Sequence, residues 1–576
     1  MSLPNALSTG LAGLFLGALA ANLACQGTID IVAKPGSWTL EVGNTVPAWT
    51  YNGSVPGPTL RIREGQTLRV RLKNLLPEPT TLHFHGQPMP AEMDGVPGMT
   101  MPAVAPGQDF TYEFVARPAG TYWFHPHVGL QLDRGLYGVL IVDPVGGGDP
   151  PSDREHVLVL DDVLAGPPVG GADPSYVAHV IQGRTSLGQT AFPVRVGEKL
   201  RLRFLNAGTG THYVVAVDGH VMQITHVDGQ RIVPLSTQAL LVGAGERYDV
   251  IVDANQPGAW SIAAASIENR AKTLVRAVLR YEGSTQPDPS PSYVPAALAT
   301  AALPTYAQMR SAVATAPIQP VPDRVHDLQL AGGMMSYVFT INGQSWPNAA
   351  PLPVRDGEAV RFRIRNTSMH WHPMHVHGHF FRILGSAGGN SVPLQKDTIM
   401  IPPGMTSPTF EAEVRADNPG AWMFHCHNLY HAEAGMMRAV VYENGDRDQD
   451  GLDDGDDMSP TGPYPVQFSD PLDHGYAIGK TLSLRVQWLP GELSATYLGS
   501  TLLTPISLGV LGELRIQPDL FAGAVVVDAQ RIARIDVMAP FDPALRGVVI
   551  GVQSIASHKT LPPGMRVSTR ATITLQ

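Results

Sequence analysis

Three stretches of strict alternation between apolar and polar residues set the first expectation for this chain. In GQTLRVRLKN (Gly65 to Asn74), GEKLRLRFLN (Gly197 to Asn206) and GEAVRFRIRN (Gly357 to Asn366), a turn glycine is followed by a period of two. Leu68, Val70 and Leu72 fall on one face, with Arg69, Arg71 and Lys73 on the other. Successive side chains of a strand point to opposite faces, so this pattern predicts a half-buried strand. Leu200, Leu202 and Phe204 repeat it, as do Val360, Phe362 and Ile364. The stretches align without gaps, which predicts three homologous β-domains. A second segment repeats as PAGTYWFHPH from Pro118, PGAWSIAAA from Pro257 and PGAWMFHCH from Pro419, each a Pro and Gly turn leading into a strand.

These repeats place a first domain at 28–145, with a Gly and Pro linker from Gly146, and a second domain at 146–300, which gives way to a Pro- and Ala-rich stretch at Gln286 to Pro322. The third domain is placed at 323–444, an acidic linker at 445–460, and a strand-like tail at 464–576 that reads as a separate β-sandwich. Composition agrees: 44% hydrophobic, 16% charged, 59 Gly and 51 Pro suit many short strands joined by tight turns. The fold class expected is all-β.

The formal charge of −10, with Lys and Arg scattered singly, argues against nucleic acid as a partner. Residues 1–27 hold an apolar run, Leu11 to Leu23, with Ala18, Ala20 and Ala24 near its end. The run is shorter than the roughly 20 residues that span a bilayer, so it reads as the core of an export signal rather than a transmembrane segment. A periplasmic or extracellular location follows. No Lys or Arg precedes the run, as a misassigned start codon would explain. LAC at Leu23 to Cys25 hints at lipidation, with the leucine one place nearer the cysteine than a lipobox has it.

Chance would give about 0.7 His-x-His pairs from 20 histidines in 576 residues, and six are present. On a strand, residues i and i+2 face the same way, so each pair aims two imidazoles at one point. His83 and His85 lie nine and eleven residues after the repeat asparagine, as do His375 and His377; the middle copy has Val215 and Val217 there. His125 and His127, and His425 and His427, align with Ala263 and Ala265. Eight imidazoles from two outer domains suffice for a three-metal cluster, with the middle domain a spacer, and imidazole alone leaves copper, zinc, iron and nickel open. His212 falls in the slot of His372 and reads as a loop or core histidine.

Cys426 narrows the metal. It lies between two histidines on one strand, so its sulfur points away from theirs, toward a second site. His372, His431 and Met436 lie around it in sequence. Two His, one Cys and a weak axial Met are the ligands of a blue-copper electron-transfer centre. Cys25 sits in the N-terminal run, so no disulfide is expected.

HFHG, HPH, HPMHVHGH and HCHNLYHAEAGMM, in this order and spacing, resemble the four copper motifs of the three-domain multicopper oxidases, the laccases and cuprous oxidases, over roughly residues 30 to 444. The resemblance implies three cupredoxin-like Greek-key β-barrel domains and four coppers per chain. It implies type 1 copper at His372, Cys426, His431 and Met436, type 2 at His83 and His375, and a type 3 pair at His85, His125, His127, His377, His425 and His427. His370 and His379 fall outside that register. It further implies one-electron oxidation of a small-molecule reductant at the type 1 site, passage of electrons from Cys426 through His425 and His427, and four-electron reduction of dioxygen to water. Asp94, nine residues past His85, matches the family's proton-delivering aspartate; it is also a turn aspartate before Gly95. The glutamate often found after the second type 1 histidine is here Ala432, with Glu433 next.

Cuprous oxidases often carry an acidic residue four places before the first type 1 histidine and a Met-rich insert. Here Ser368 holds that place and Gly385 to Pro393 has no Met, which favours phenols or aromatic amines as reductants. Met89, Met93, Met99, Met101, Met334 and Met335 keep a metal-ion oxidase in copper tolerance open as the alternative. A copper store or electron carrier without turnover is the other class, which would not need separated sites. Asp446, Asp448, Asp450, Asp454 and Asp457, with Gly451, follow a calcium-loop register, although Asp replaces the usual Glu and no helices are expected to flank it; the other reading is a solvated acidic linker. The tail from 464 is expected to make a surface or partner contact of unknown kind.

Overall fold

In the computed structural model, the described residues are 27–443, without 190, 316, 334–335, 385–391 and 405–407, together with the strands between 466 and 575. The N-terminal run, Met334 and Met335, and the acidic loop Asp446 to Asp457 therefore lie outside the described residues.

The chain folds as successive two-sheet β units. In the first unit, Asn44–Tyr51, Ile29–Glu41, Thr67–Asn74 and Asp109–Val115 form one sheet, and Thr59–Arg63, Gly138–Asp143, Gly120–His125 and His83–His85 form the other. The second and third units each have one six-stranded and one five-stranded sheet. The strands between Val466 and Leu575 pair into sheets of three, four and two.

The three alternating stretches occupy equivalent places. Thr67–Asn74, Lys199–Asn206 and Ala359–Asn366 each run parallel to the first strand of their unit and antiparallel to another. Their apolar faces are buried in the cores, where Val70, Leu202 and Phe362 are fully enclosed. The asparagine that ends each strand serves as a bracket. Asn74 Nδ2 donates to Glu78 O and Val104 O, Asn206 Nδ2 to Thr211 O and Val242 O, and Asn366 Nδ2 to His370 O and Pro402 O. Each Oδ1 accepts the N–H two residues on, from Leu76, Gly208 and Ser368. A buried amide satisfied on both ends fixes the loop that follows, which in the outer units is the loop leading to the histidine strand.

The middle unit departs from its polar-out expectation. Arg69 and Arg71 stay partly exposed, but Arg201 and Arg203 are buried. Arg203 Nη1 donates to Asp249 Oδ2 (2.6 Å) and to Thr121 Oγ1 of the first unit (2.8 Å). A face that would meet solvent in an isolated domain is here an interface, and its charges are paired because an unpaired buried charge costs several kcal/mol.

Candidate metal centres

The strand order of the outer units brings the histidine pairs edge to edge. His83 pairs across the ladder with His125, and His375 with His425. The two units then face each other: the rings of His83 and His377 stack with centroids 3.9 Å apart, and those of His85 and His375 at 3.7 Å. His127 stands 5.0 Å from His425, and His427 5.3 Å from His125. All eight histidines anticipated from sequence meet here. His83, His375 and His377, then His83, His85 and His125, then His127, His377 and His425 each converge with ligand atoms within 4.8 Å of one another.

Hydrogen bonds at the back of the rings select which nitrogen faces inward. His83 Nδ1 donates to Asp94 O (2.8 Å), His375 Nδ1 to Asp397 O (2.9 Å), His125 Nδ1 to Pro126 O (3.0 Å) and His425 Nδ1 to Cys426 O (2.9 Å). His377 Nδ1 donates to Asp94 Oδ2 (2.8 Å) and His85 Nε2 to Asp397 Oδ1 (3.0 Å). Among the described residues the inward atoms His83 Nε2, His85 Nδ1, His125 Nε2, His375 Nε2 and both nitrogens of His427 are buried without a hydrogen-bond partner. His377 Nε2 faces His425 Nε2 at 3.1 Å. Burial, reinforced by the neighbouring rings, pushes His85, His127, His375 and His377 well below the usual histidine range, and burial brings His425 to about 4. Neutral lone pairs converging without donors fit cations bound by imidazole, each ring oriented by an outer acceptor.

Across the backbone, Cys426 Sγ lies 3.6 Å from His372 Nδ1 and 3.8 Å from His431 Nδ1. Cys426 is fully buried, which pushes its thiol up. Met436 is also buried, and its carbonyl accepts the Cys426 N–H (3.0 Å). Asn428 caps the short helix Leu429–Glu433 by accepting the His431 N–H, which fixes the turn that aims this ring. Phe339 stacks on His431 at 4.0 Å. Two imidazoles and one thiol with buried walls fit a soft, blue-copper type of ion.

Asp94 is buried against His83 and His377, so it is both the turn residue and a neighbour of the cluster. The glycine after it is required. Gly95 has φ +83°, and a Cβ there would lie 2.0 Å from Leu82 O. Glu433 stands exposed at the end of the helix that carries His431, where burial of part of its surface raises its carboxyl, and among the described residues no hydrogen bond joins it to a cluster histidine. His212 is a buried histidine accepting from Ala244 N–H, held at about 4 by burial. His379 is scaffold: its Nδ1 bonds to His377 O and its Nε2 to Tyr442 OH, as His220 in the middle unit bonds to Asp218 O and Tyr281 OH.

The sequence reading missed Asp397, Thr398 and Arg247 beside the cluster, and Asp173, whose Oδ1 lies 3.8 Å from His431 Nε2 and accepts from Tyr337 OH (2.7 Å). The signal available for the first two was a Lys and Asp pair inside the otherwise uncharged run from Val392 to Pro403. Arg247 and Asp173 carry no local signal.

Family models described as multicopper oxidase match residues 33–146, 162–284 and 319–446. The chain is 34% identical to multicopper oxidase MmcO of Mycobacterium tuberculosis over 460 residues, covering 72% of this chain and 87% of that one. It is 28% identical to a copper resistance protein A homolog of Pseudomonas syringae pv. tomato, with 70% and 90% covered. The crystal structure of a laccase from Botrytis aclada superposes with a TM-score of 0.63 at 27% identity, covering 72% of this chain and 87% of that one.

Proposed function

Given that this chain belongs to the multicopper oxidases and is a copper oxidoreductase that uses dioxygen, we propose that it holds four coppers and oxidises phenols or aromatic amines. The observation that carries the assignment is the position of Cys426, with its sulfur between His372 and His431 and its two chain neighbours among the eight converging histidines. His372, Cys426, His431 and Met436 would hold type 1 copper, His83 and His375 type 2, and His85, His125, His127, His377, His425 and His427 the type 3 pair. When bound, the four coppers would supply one-electron oxidation of the reductant and four-electron reduction of dioxygen, which with four protons gives two waters.

The chain supplies the rest. Cys426 is covalently continuous with His425 and His427, so the two sites are joined by the shortest bonded route the backbone allows. The outer acceptors hold each ring in one tautomer before metal arrives, which limits reorganisation. Asp94, whose Oδ1 lies 3.2 Å from His83 Nδ1 and whose Oδ2 accepts from His377 Nδ1, would relay protons beside the cluster. Near His431, the half-exposed Asp173 carboxylate can accept a hydrogen bond from a phenol hydroxyl or an arylamine, as it accepts one from Tyr337 OH.

The apolar N-terminal run supports export, and the spacing of Asp446 to Asp457 supports a calcium loop; both rest on sequence alone. After copper loading, dioxygen uptake with a phenol, with Cu(I) and with Fe(II), measured on one preparation, tests the reading. A four-copper protein with no uptake would refute the oxidase mechanism, and uptake with Cu(I) alone would replace the organic reductant by a metal ion.

A further inference from the structure

Behind the histidine cluster, the three units meet in a buried polar arrangement that no ligand motif announces. Arg247, on the middle unit's strand Arg247–Asp253, is fully enclosed. Its Nη1 donates to Asp397 Oδ1 (2.7 Å) and its Nη2 to Asp397 Oδ2 (2.6 Å), a two-pronged pairing that only a guanidinium makes. Its Nε donates to Thr121 O of the first unit (3.2 Å). Asp397 then reaches both outer units: Oδ1 accepts from His85 Nε2 (3.0 Å), and its backbone oxygen accepts from His375 Nδ1 (2.9 Å).

The residues on either side extend the contact. Lys396 Nζ lies 2.9 Å from Asp228 Oδ2 and 3.0 Å from Glu246 Oε1, and Asp228 Oδ2 also accepts the Thr398 N–H (3.2 Å). Asp228, Glu246 and Arg247 of the middle unit thus hold Lys396, Asp397 and Thr398 of the third. There is no slack between them and the first unit. Gly86, next to His85, has φ +82°, and a Cβ there would lie 2.3 Å from Asp397 Oδ2 and 2.6 Å from Arg247 Nη2.

We propose that Arg247 is a positioning residue for the copper cluster: through Asp397 it fixes the ring of His85 and the strand that backs His375, so the unit that carries no ligands sets the geometry of ligands from both others. This rests on the reading that His85 and His375 hold copper. An aspartate bonded to a ligand imidazole orients that ring and raises its basicity. An aspartate without Arg247 would be a buried charge free to turn, and the His85 ring would lose its fixed acceptor.

The test uses the copper-loaded full chain and the variants Arg247→Lys, Arg247→Gln, Asp397→Asn and Thr121→Val. Thr121→Val is the control, because it removes the Thr121 Oγ1 bonds to Asp249 and from Arg203 at the same interface without altering the Arg247 and Asp397 pair. Expected for both Arg247 variants and for Asp397→Asn are an altered type 2 electron paramagnetic resonance splitting and cluster copper held about 10–100-fold more weakly against a chelator, with the visible thiolate-to-copper band retained. Thr121→Val should lower the thermal midpoint and leave both copper readouts unchanged. If the Arg247 variants behave as Thr121→Val does, losing only thermal stability, the positioning role is refuted. Should Arg247→Gln not fold, Arg247→Lys and Asp397→Asn decide by the same readouts. His375→Ala checks the underlying assignment separately: full retention of cluster copper there overturns the assignment and the proposal with it.

Discussion

Ser368 Oγ lies 2.7 Å from His372 Nε2, and this bond determines which nitrogen of His372 faces Cys426. Ser368 is itself fixed, since its Oγ accepts the His370 N–H and its own N–H donates to Asn366 Oδ1. The repeat asparagine, a serine and the first sulfur-side histidine therefore form one chain of contacts. Ser368→Ala should leave His372 Nε2 buried without an acceptor, at a cost of about 1–3 kcal/mol. We expect a type 1 site that loses copper about 10-fold more readily while the cluster retains its own. Copper content and the visible thiolate band, followed during dialysis against a chelator, check this; equal loss from both sites would contradict it.

Asp94 is the buried carboxylate that touches His83 and His377. Asp94→Asn keeps the shape and an acceptor for His377 Nδ1 but cannot exchange a proton. Turnover should fall about 10²-fold or more with copper content and the type 1 band unchanged. Steady-state dioxygen uptake beside metal analysis measures both, and a variant with wild-type turnover would remove Asp94 from the proton path.

Cys426→Ser takes away the only sulfur among the described residues of the His372 and His431 site other than Met436. Three coppers per chain should remain, the visible band should vanish, and phenol oxidation should fall below detection. Metal analysis and electron paramagnetic resonance decide the matter: persistence of the visible band would place the type 1 centre elsewhere.

The metal-free protein should be acid-sensitive, and the sign follows from three buried histidines. His212 and His425 are held at about 4 and His372 at about 3, each by burial, against 6.5 for the free side chain. Below 6.5 the unfolded chain binds protons that the folded chain refuses. Their contribution is complete above that pH and is lost as the pH falls toward 4, by up to about 1.4 kcal/mol per pH unit for each group. Copper on His372 and His425 would exclude the same protons, so it leaves this slope in place. The thermal midpoint of the metal-free protein should therefore fall between neutral pH and mild acid; a midpoint independent of pH over that range would contradict it.

Much of the candidate site was legible in the chain because its logic is local. A period of two places His83 with His85 and His375 with His377 on one side of a strand, and it turns Cys426 away from His425 and His427. The repeat asparagines gave the register, and the structure shows why, since each bracket sets the loop into the next strand, which in the outer units carries the histidines. The all-β architecture followed from the same alternation.

What the sequence by itself determined was thus which residues can face a metal and that the middle unit, with Val215 and Ala263 to Ala265, has none to offer at those slots. The tertiary structure alone decided what stands behind them. Arg247 and Asp397 are 150 positions apart, in different units, and neither sits in a pattern that pairs them. Asp173 reaches His431 from a loop of the middle unit in the same way. Periodicity reports how a strand divides its own two faces, whereas contacts between units depend on how whole sheets pack. That packing turned the polar face of the middle unit into a buried, charge-paired interface and set Arg247 behind the histidines of the outer units.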